Sequence, residues 1–128
     1  LLQEALRYDS DNNALTLVYI LFCIKNSDFK EALDILNIFI TKLDHKSHHY
    51  YLSLYLRARI FGHYGEVDKS QKDLDMIISG ENVDSKIKEA TNHMLNKIQT
   101  FNRVVFRPTD IAVMMIPGDC FRYKSILN

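Results

Sequence analysis

A thirteen-residue stretch occurs twice, thirty-eight positions apart, and no other feature of the sequence constrains the fold as much. "KNSDFKEALDILN" (25–37) and "HYGEVDKSQKDLD" (63–75) share an order of residue classes rather than identities. A small residue (Ser27, Gly65) precedes an acid (Asp28, Glu66), and an apolar residue follows (Phe29, Val67). Three positions on stands a second small residue (Ala32, Ser70), then a leucine (Leu36, Leu74) and an apolar pair (Phe39–Ile40, Ile77–Ile78). Repetition at this period means that one supersecondary unit is used more than once, and stacked copies bury what a single copy cannot.

The unit is helical, because apolar residues recur at spacings of three and four. Leu1, Leu2, Ala5 and Leu6 read as the tail of a helix ending near Tyr8. "DSDNN" (9–13) is a turn in which Asp11 or Asn12 caps the next helix, which runs to about Lys25 with Leu17, Ile20, Leu21 and Ile24 on one stripe. Asp28 can accept the unpaired N–H groups of the helix that follows, whose stripe is Leu33, Leu36, Ile40 and Leu43. Further helices are expected over about 47–64, 66–79 (with Gly80 as terminator) and 84–103. The last carries Ile87, Ala90, Met94, Ile98 and Phe101 on one side and Lys88, Glu89, Asn92, Asn96 and Gln99 on the other. Short loops make neighbouring helices antiparallel. Ala32 and Ser70, with Ala58, mark the closest approach within each hairpin. Phe61 fills the space beside Ala58, and Phe29 and Val67 plug the hairpin ends.

"SDFKEAL" (27–33) resembles the opening of the second helix of a tetratricopeptide repeat. "GEVDKSQ" (65–71) is similar, with Ser70 and Gln71 replacing Ala and Leu. "EALRYDSDNN" (4–13) resembles the end of an earlier repeat, with Ser10 in place of a proline. There are departures: the second unit is longer than usual, Arg57 stands where an apolar residue is usual, and the first unit lacks the Gly and Tyr of its first helix. The resemblance covers about residues 1–102. It implies an all-α, tetratricopeptide-like array of antiparallel hairpins, about six helices in all, over 1–103. Within that span, 1–12 end a preceding repeat, 13–46 and 47–82 are repeats, and 83–103 form a closing helix. Another helical-hairpin array or an irregular bundle is the competing architecture.

The resemblance further implies a concave face lined by the first helix of each unit. That face would hold Leu17, Leu21, Ile24 and Lys25, then Leu52, Tyr55, Arg59 and His63, as the partner-binding residues. Tyr55 and Arg59 stand one turn apart and are residue types favoured at binding hot spots. The leucines fit packing against helices of a longer array equally well. Family members that grip acidic C-termini use Lys, Arg and Asn on this face; Leu17, Leu21 and Leu56 at the matching places would make an apolar wall, better suited to an apolar or amphipathic helix. The expected function is a protein–protein interaction module, part of a scaffold, adaptor or assembly factor. A peptide-sensing regulatory domain in signalling is the alternative, and a metal-dependent enzyme using the histidine cluster is third.

Other chemistry has little material. "DHKSHH" (44–49) gathers imidazoles but straddles a turn and lacks a metal-site spacing, so an exposed polar turn is expected, with no cofactor. With only four glycines there is no phosphate loop, and no nucleophile elbow occurs. Cys23 sits among apolar residues that disfavour its thiolate, and Cys120 beside Phe121 and Arg122 is a faint nucleophile candidate. We therefore expect no enzyme. A formal net charge of +0 gives no overall field toward nucleic acid or anionic lipid. The longest uncharged apolar run, 14–24, is about half of what spans a bilayer. Two cysteines imply no disulfide framework and fit a cytoplasmic location. Arg103, Arg107, Arg122 and Lys124, with Phe106, Phe121 and Tyr123, resemble a basic–aromatic surface, and a solvated basic tail is the preferred account. The chain begins at Leu1 rather than Met, so a piece of a longer protein or a processed product is expected.

Residues 104–128 are a non-repeat tail. Pro108 interrupts the helix before it, and Pro117-Gly118-Asp119 is turn chemistry. A β-hairpin of 111–116 with 120–126 fits, as does a short helix capped by Thr109 or Asp110. Ile111, Val113, Met114, Met115 and Ile116 are too apolar for water, so they must cover the helices, fill the groove, or join two copies as a homodimer.

Overall fold

The computed structural model describes residues 13–104. They form five helices: α1 (Asn13–Lys25), α2 (Phe29–Lys42), α3 (His48–His63), α4 (Val67–Ile78) and α5 (Ser85–Phe101). No strand occurs among the described residues. The expected helix at 1–8 and the tail expected as a hairpin or short helix lie outside them. The chain divides into two compact units between Thr41 and Lys42. The first holds α1 and α2, the second α3, α4 and α5.

The thirty-eight-residue repeat is present in the backbone as well as in the sequence. After α1, the Ser27 N–H donates to the Ile24 carbonyl at 3.1 Å and the Asp28 N–H to the Cys23 carbonyl at 2.8 Å. After α3, Gly65 donates to Gly62 at 3.1 Å and Glu66 to Phe61 at 2.9 Å. This is the double bond of a Schellman termination, which needs one residue in the left-handed region. Ser27 (φ 61°) and Gly65 (φ 76°) are those residues. The next helix then starts alike in both copies: Ala32 donates to the Asp28 carbonyl and Ser70 to the Glu66 carbonyl, each at 3.1 Å.

The caps explain the other boundaries. The Asp28 carboxylate accepts from the Glu31 N–H at 3.4 Å, as its position led us to expect. Ser47 opens α3 by accepting from the Tyr50 N–H at 3.1 Å, and Asp84 opens α5 by accepting from Lys86 at 2.8 Å. Gly80 stands just past the end of α4, where a terminator is expected, and donates its N–H to the Ile77 carbonyl at 3.1 Å. Ser79 is the C-cap of α4, and Asn82 (φ 55°) takes the left-handed conformation. Gly80 is small because a β-carbon there would lie 2.5 Å from the ring of Tyr51. The Tyr51 hydroxyl donates to the Glu81 carbonyl beside it at 3.3 Å.

In the first unit the Tyr19 hydroxyl of α1 reaches Glu31 of α2 at 3.5 Å, and Leu17, Ile20, Leu21, Ala32 and Leu36 are buried. In the second, α4 packs on both α3 and α5, and α3 also touches α5. The expected close approach is there: Ser70 donates its hydroxyl hydrogen to the carbonyl of Ala58 at 2.7 Å, and both residues are fully buried. Across the same helix pair, Lys69 Nζ of α4 lies 5.5 Å from the Phe61 ring centroid of α3. Leu36 and Leu74, matching positions of the two copies, are likewise fully buried. Removing one such side chain from water contributes about 1.5–3 kcal/mol.

A third phase of the same period emerges in α5. Helices α1, α3 and α5 end at Lys25, His63 and Phe101, each thirty-eight residues from the last. The buried Ala90, Thr91, Met94 and Ile98 of α5 match the buried Leu52, Ser53, Leu56 and Ile60 of α3. Ala58 and Phe61, which face α4, correspond to Asn96 and Gln99, both exposed. α5 thus has a polar side where α3 carries α4. The expected polar row (Lys88, Glu89, Asn92, Asn96, Gln99) is exposed throughout. Phe101, expected on the apolar face, is instead 53% exposed.

Candidate functional site

The eight residues expected to line a partner-binding face have different fates. Leu17 and Leu21 on α1, in the first unit, are buried, as are Leu52 and Tyr55 on α3, in the second. Ile24 and Arg59 are half-buried, and Lys25 and His63 are exposed. The physical reason is that α1 and α3 are not amphipathic. Residues 16–21 of α1 and 50–56 of α3 are buried without a break, runs long enough to circle the helix. A stripe drawn on such a helix selects core positions as readily as surface ones. Leu56 is also fully buried, so the expected apolar wall of Leu17, Leu21 and Leu56 is interior rather than surface. The exposed members of the eight, Lys25 and His63, sit at the C-terminal ends of helices.

In the second unit those ends meet. The side chain of Val104, just past α5, lies against Gly62 of α3, where a β-carbon would come within 2.5 Å of it. Asn102, left-handed at φ 52°, stops α5 by donating its N–H to the Ile98 carbonyl at 2.8 Å. It also shares a shallow groove of about 420 Å³ with residues 65–69 of the α3–α4 turn. Within that turn Lys69 pairs with Glu66 at 3.1 Å.

This end is aromatic and cationic. Phe101 and Tyr64 (49%) are exposed, and the Tyr64 ring stands edge-on to His63 with centroids 5.2 Å apart. Lys97 Nζ lies 5.4 Å and Arg103 Cζ 5.9 Å from the Phe101 centroid. Neither cation is within ion-pair distance of a carboxylate of the described residues. Arg59 stands about one turn before the end of α3, at the same place in the period as Lys97 in α5. Burial pushes the Arg59 guanidinium pKa down, and the neighbouring Tyr55 hydroxyl acts in the opposite direction. His93 of α5, half-buried, holds the place of Tyr55.

Charge is sorted by helix although the chain as a whole is neutral. α3 carries Arg57 and Arg59 and no carboxylate, and α5 carries Lys86, Lys88 and Lys97 against Glu89 alone. α4 carries Asp68, Asp73 and Asp75 against Lys69 and Lys72. His93 and Lys97 were missed from sequence, and Phe101 placed on the apolar side, because α5 was read only as a closing helix. The signal that finds them is the period, which puts them level with Tyr55, Arg59 and His63.

The remaining chemistry stays dispersed. His45 stacks on Tyr50 (4.6 Å, 18°) and His48 meets His49 edge-on at 6.4 Å. Among the described residues no three His, Cys, Asp or Glu side chains are placed to hold a metal ion. Burial pushes the Cys23 thiol pKa up, opposed by a hydrogen bond with Tyr19. Cys120 lies outside the described residues. No described helix is long and apolar enough to cross a membrane. Comparison with models of known protein families, with curated proteins and with solved structures finds no match.

Proposed function

We propose that this chain is a protein–protein interaction module, a tetratricopeptide-like hairpin array serving a scaffold, adaptor or assembly factor in the cytoplasm. The observation that supports it is the common period: one helical unit, ended by the same pair of backbone bonds at Ser27 and Gly65, with a third first-helix ending at Phe101. Repeating a unit multiplies surface rather than assembling a catalytic constellation, and the usual use of such surface is to hold another chain. A buried free thiol at Cys23 suits a reducing compartment.

The test is capture from an extract of the native source, followed by cross-linking and mass spectrometry. The expected result is a stoichiometric protein partner cross-linked to α5 lysines, absent when Ala58→Arg disrupts the hairpin. Capture of nothing beyond what the Ala58→Arg chain retains would overturn the reading.

A further inference from the structure

We propose that the joined C-terminal ends of α3 and α5 bind an acidic segment of a partner protein, one in which carboxylates flank an apolar or aromatic side chain. This deepens the interaction-module reading and rests on it. Charge complementarity carries it. Lys97 and Arg103 flank an exposed Phe101 ring at 5.4 and 5.9 Å and have no carboxylate partner among the described residues. Tyr64 and His63 extend the same end, which the Gly62–Val104 contact holds together. An exposed Phe gains from being covered, and a cation already over the ring is placed to meet a carboxylate beside whatever covers it. Aromatic and Arg side chains are the types that dominate binding energy, and complementary charge sets the encounter rate and rejects wrong partners.

The alternative polyanion, single-stranded nucleic acid, needs a continuous cationic groove that follows successive phosphates. Here the adjoining groove contains Asp68, and Glu66 with its own Lys69 partner. Two or three cations around one or two rings match a short acidic segment better than a run of phosphates. A second groove, about 610 Å³ along the outward side of α4, mixes Asp68 and Asp75 with Lys72 and selects neither sign.

Fluorescence anisotropy of the full chain decides the matter, using a labelled peptide of alternating Glu and Phe. The controls are the same peptide with Gln for Glu, and an oligouridylate of equal length. The Glu peptide should bind saturably and more weakly as salt rises, with the Gln peptide about tenfold weaker or worse. Lys97→Glu with Arg103→Glu should cost at least about tenfold, and Phe101→Ala a similar factor, whereas Lys72→Glu on α4 should change nothing. All are exposed or half-exposed positions, and circular dichroism verifies folding. Equal affinity for the Gln peptide, tighter binding of the oligouridylate, or a double variant that binds like the wild type overturns the proposal. The peptide comparison on the wild-type chain decides it even if a variant fails to fold. If no peptide binds while capture from extract persists, this site falls and the interaction module stands; if capture fails too, both fall.

Discussion

Arg57 and Asp73 form a two-pronged ion pair across α3 and α4, Nε to Oδ2 at 2.8 Å and Nη2 to Oδ1 at 2.7 Å. In the preceding copy the same places hold Tyr19 and Ile35. The pair explains why an arginine stands on α3 where the first copy has Tyr19. Its partner is one period-matched position on the facing helix. The hydrogen bond to Asp73 is the main reason the Arg57 pKa is raised, against the opposing effect of burial. Breaking such a pair costs more than replacing it, because the surviving group stays partly desolvated. Asp73→Ala should destabilise by about 2–4 kcal/mol, discounted because the Arg57 side chain reaches solvent. The double substitution Arg57→Tyr with Asp73→Ile, borrowed from the first copy, should recover most of that loss. Urea denaturation of the three chains checks it; equal loss in the single and double variants would mean the charges themselves are indispensable.

The two Schellman turns give a matched pair of opposite predictions. Ser27 holds a left-handed backbone against its own β-carbon, whereas Gly65 does so without one. Ser27→Gly should therefore stabilise, and Gly65→Ser destabilise, each by about 0.5–1 kcal/mol. Thermal melts of both variants suffice. A Ser27→Gly chain less stable than wild type would mean that the Ser27 hydroxyl contributes more than the strain removes.

Helix limits were legible because the cap chemistry is local: Asp28, Ser47 and Asp84 each sit where the backbone bonds need them. The close approach of Ala58 and Ser70 was legible because a small pair at fixed spacing has one use between helices. The binding face was not. Periodicity marks a face only where a helix has a polar side, and residues 16–21 and 50–56 have none. Tyr55 and Leu52 therefore read as surface and are core, while Phe101 reads as core and is exposed, and Lys97 escaped notice. The third phase stayed hidden for a related reason. α5 matches α3 only at buried places, such as Met94 with Leu56, and it lacks the signature turn that made the first two copies visible.

Alkaline pH should weaken the fold through Cys23 and Tyr50. Burial raises both pKa values, the thiol from an ordinary 9.0 and the phenol from 10.0, with a Tyr19 hydrogen bond and the Arg57 charge respectively opposing it. The folded chain keeps these protons to higher pH than the unfolded chain does. Stability is therefore unaffected well below 9.0 and falls as pH rises from the unfolded values toward the folded ones. Cys23→Ala and Tyr50→Phe should each flatten the slope of unfolding free energy against pH in that window. The slope is the measurement, since Cys23→Ala also changes packing; an unchanged slope in both would rule the two groups out.

Ser53 on α3 and Thr91 on α5 are equivalent by the period, both fully buried, and neither hydroxyl has a hydrogen-bond partner among the described residues. A buried hydroxyl without a partner carries a desolvation cost with nothing to offset it, and an apolar replacement of the same shape removes that cost. Ser53→Ala and Thr91→Val should thus be neutral or stabilise by up to about 1–2 kcal/mol, in contrast to the usual loss at buried positions. Ser70 is the internal control. Its hydroxyl, bound to the Ala58 carbonyl at 2.7 Å, should cost about 1 kcal/mol when Ser70→Ala removes it. Denaturation in urea ranks the three. If Ser53→Ala and Thr91→Val lose as much as Ser70→Ala, both hydroxyls have partners in solution, and the first helices meet through polar contacts at this level of the repeat.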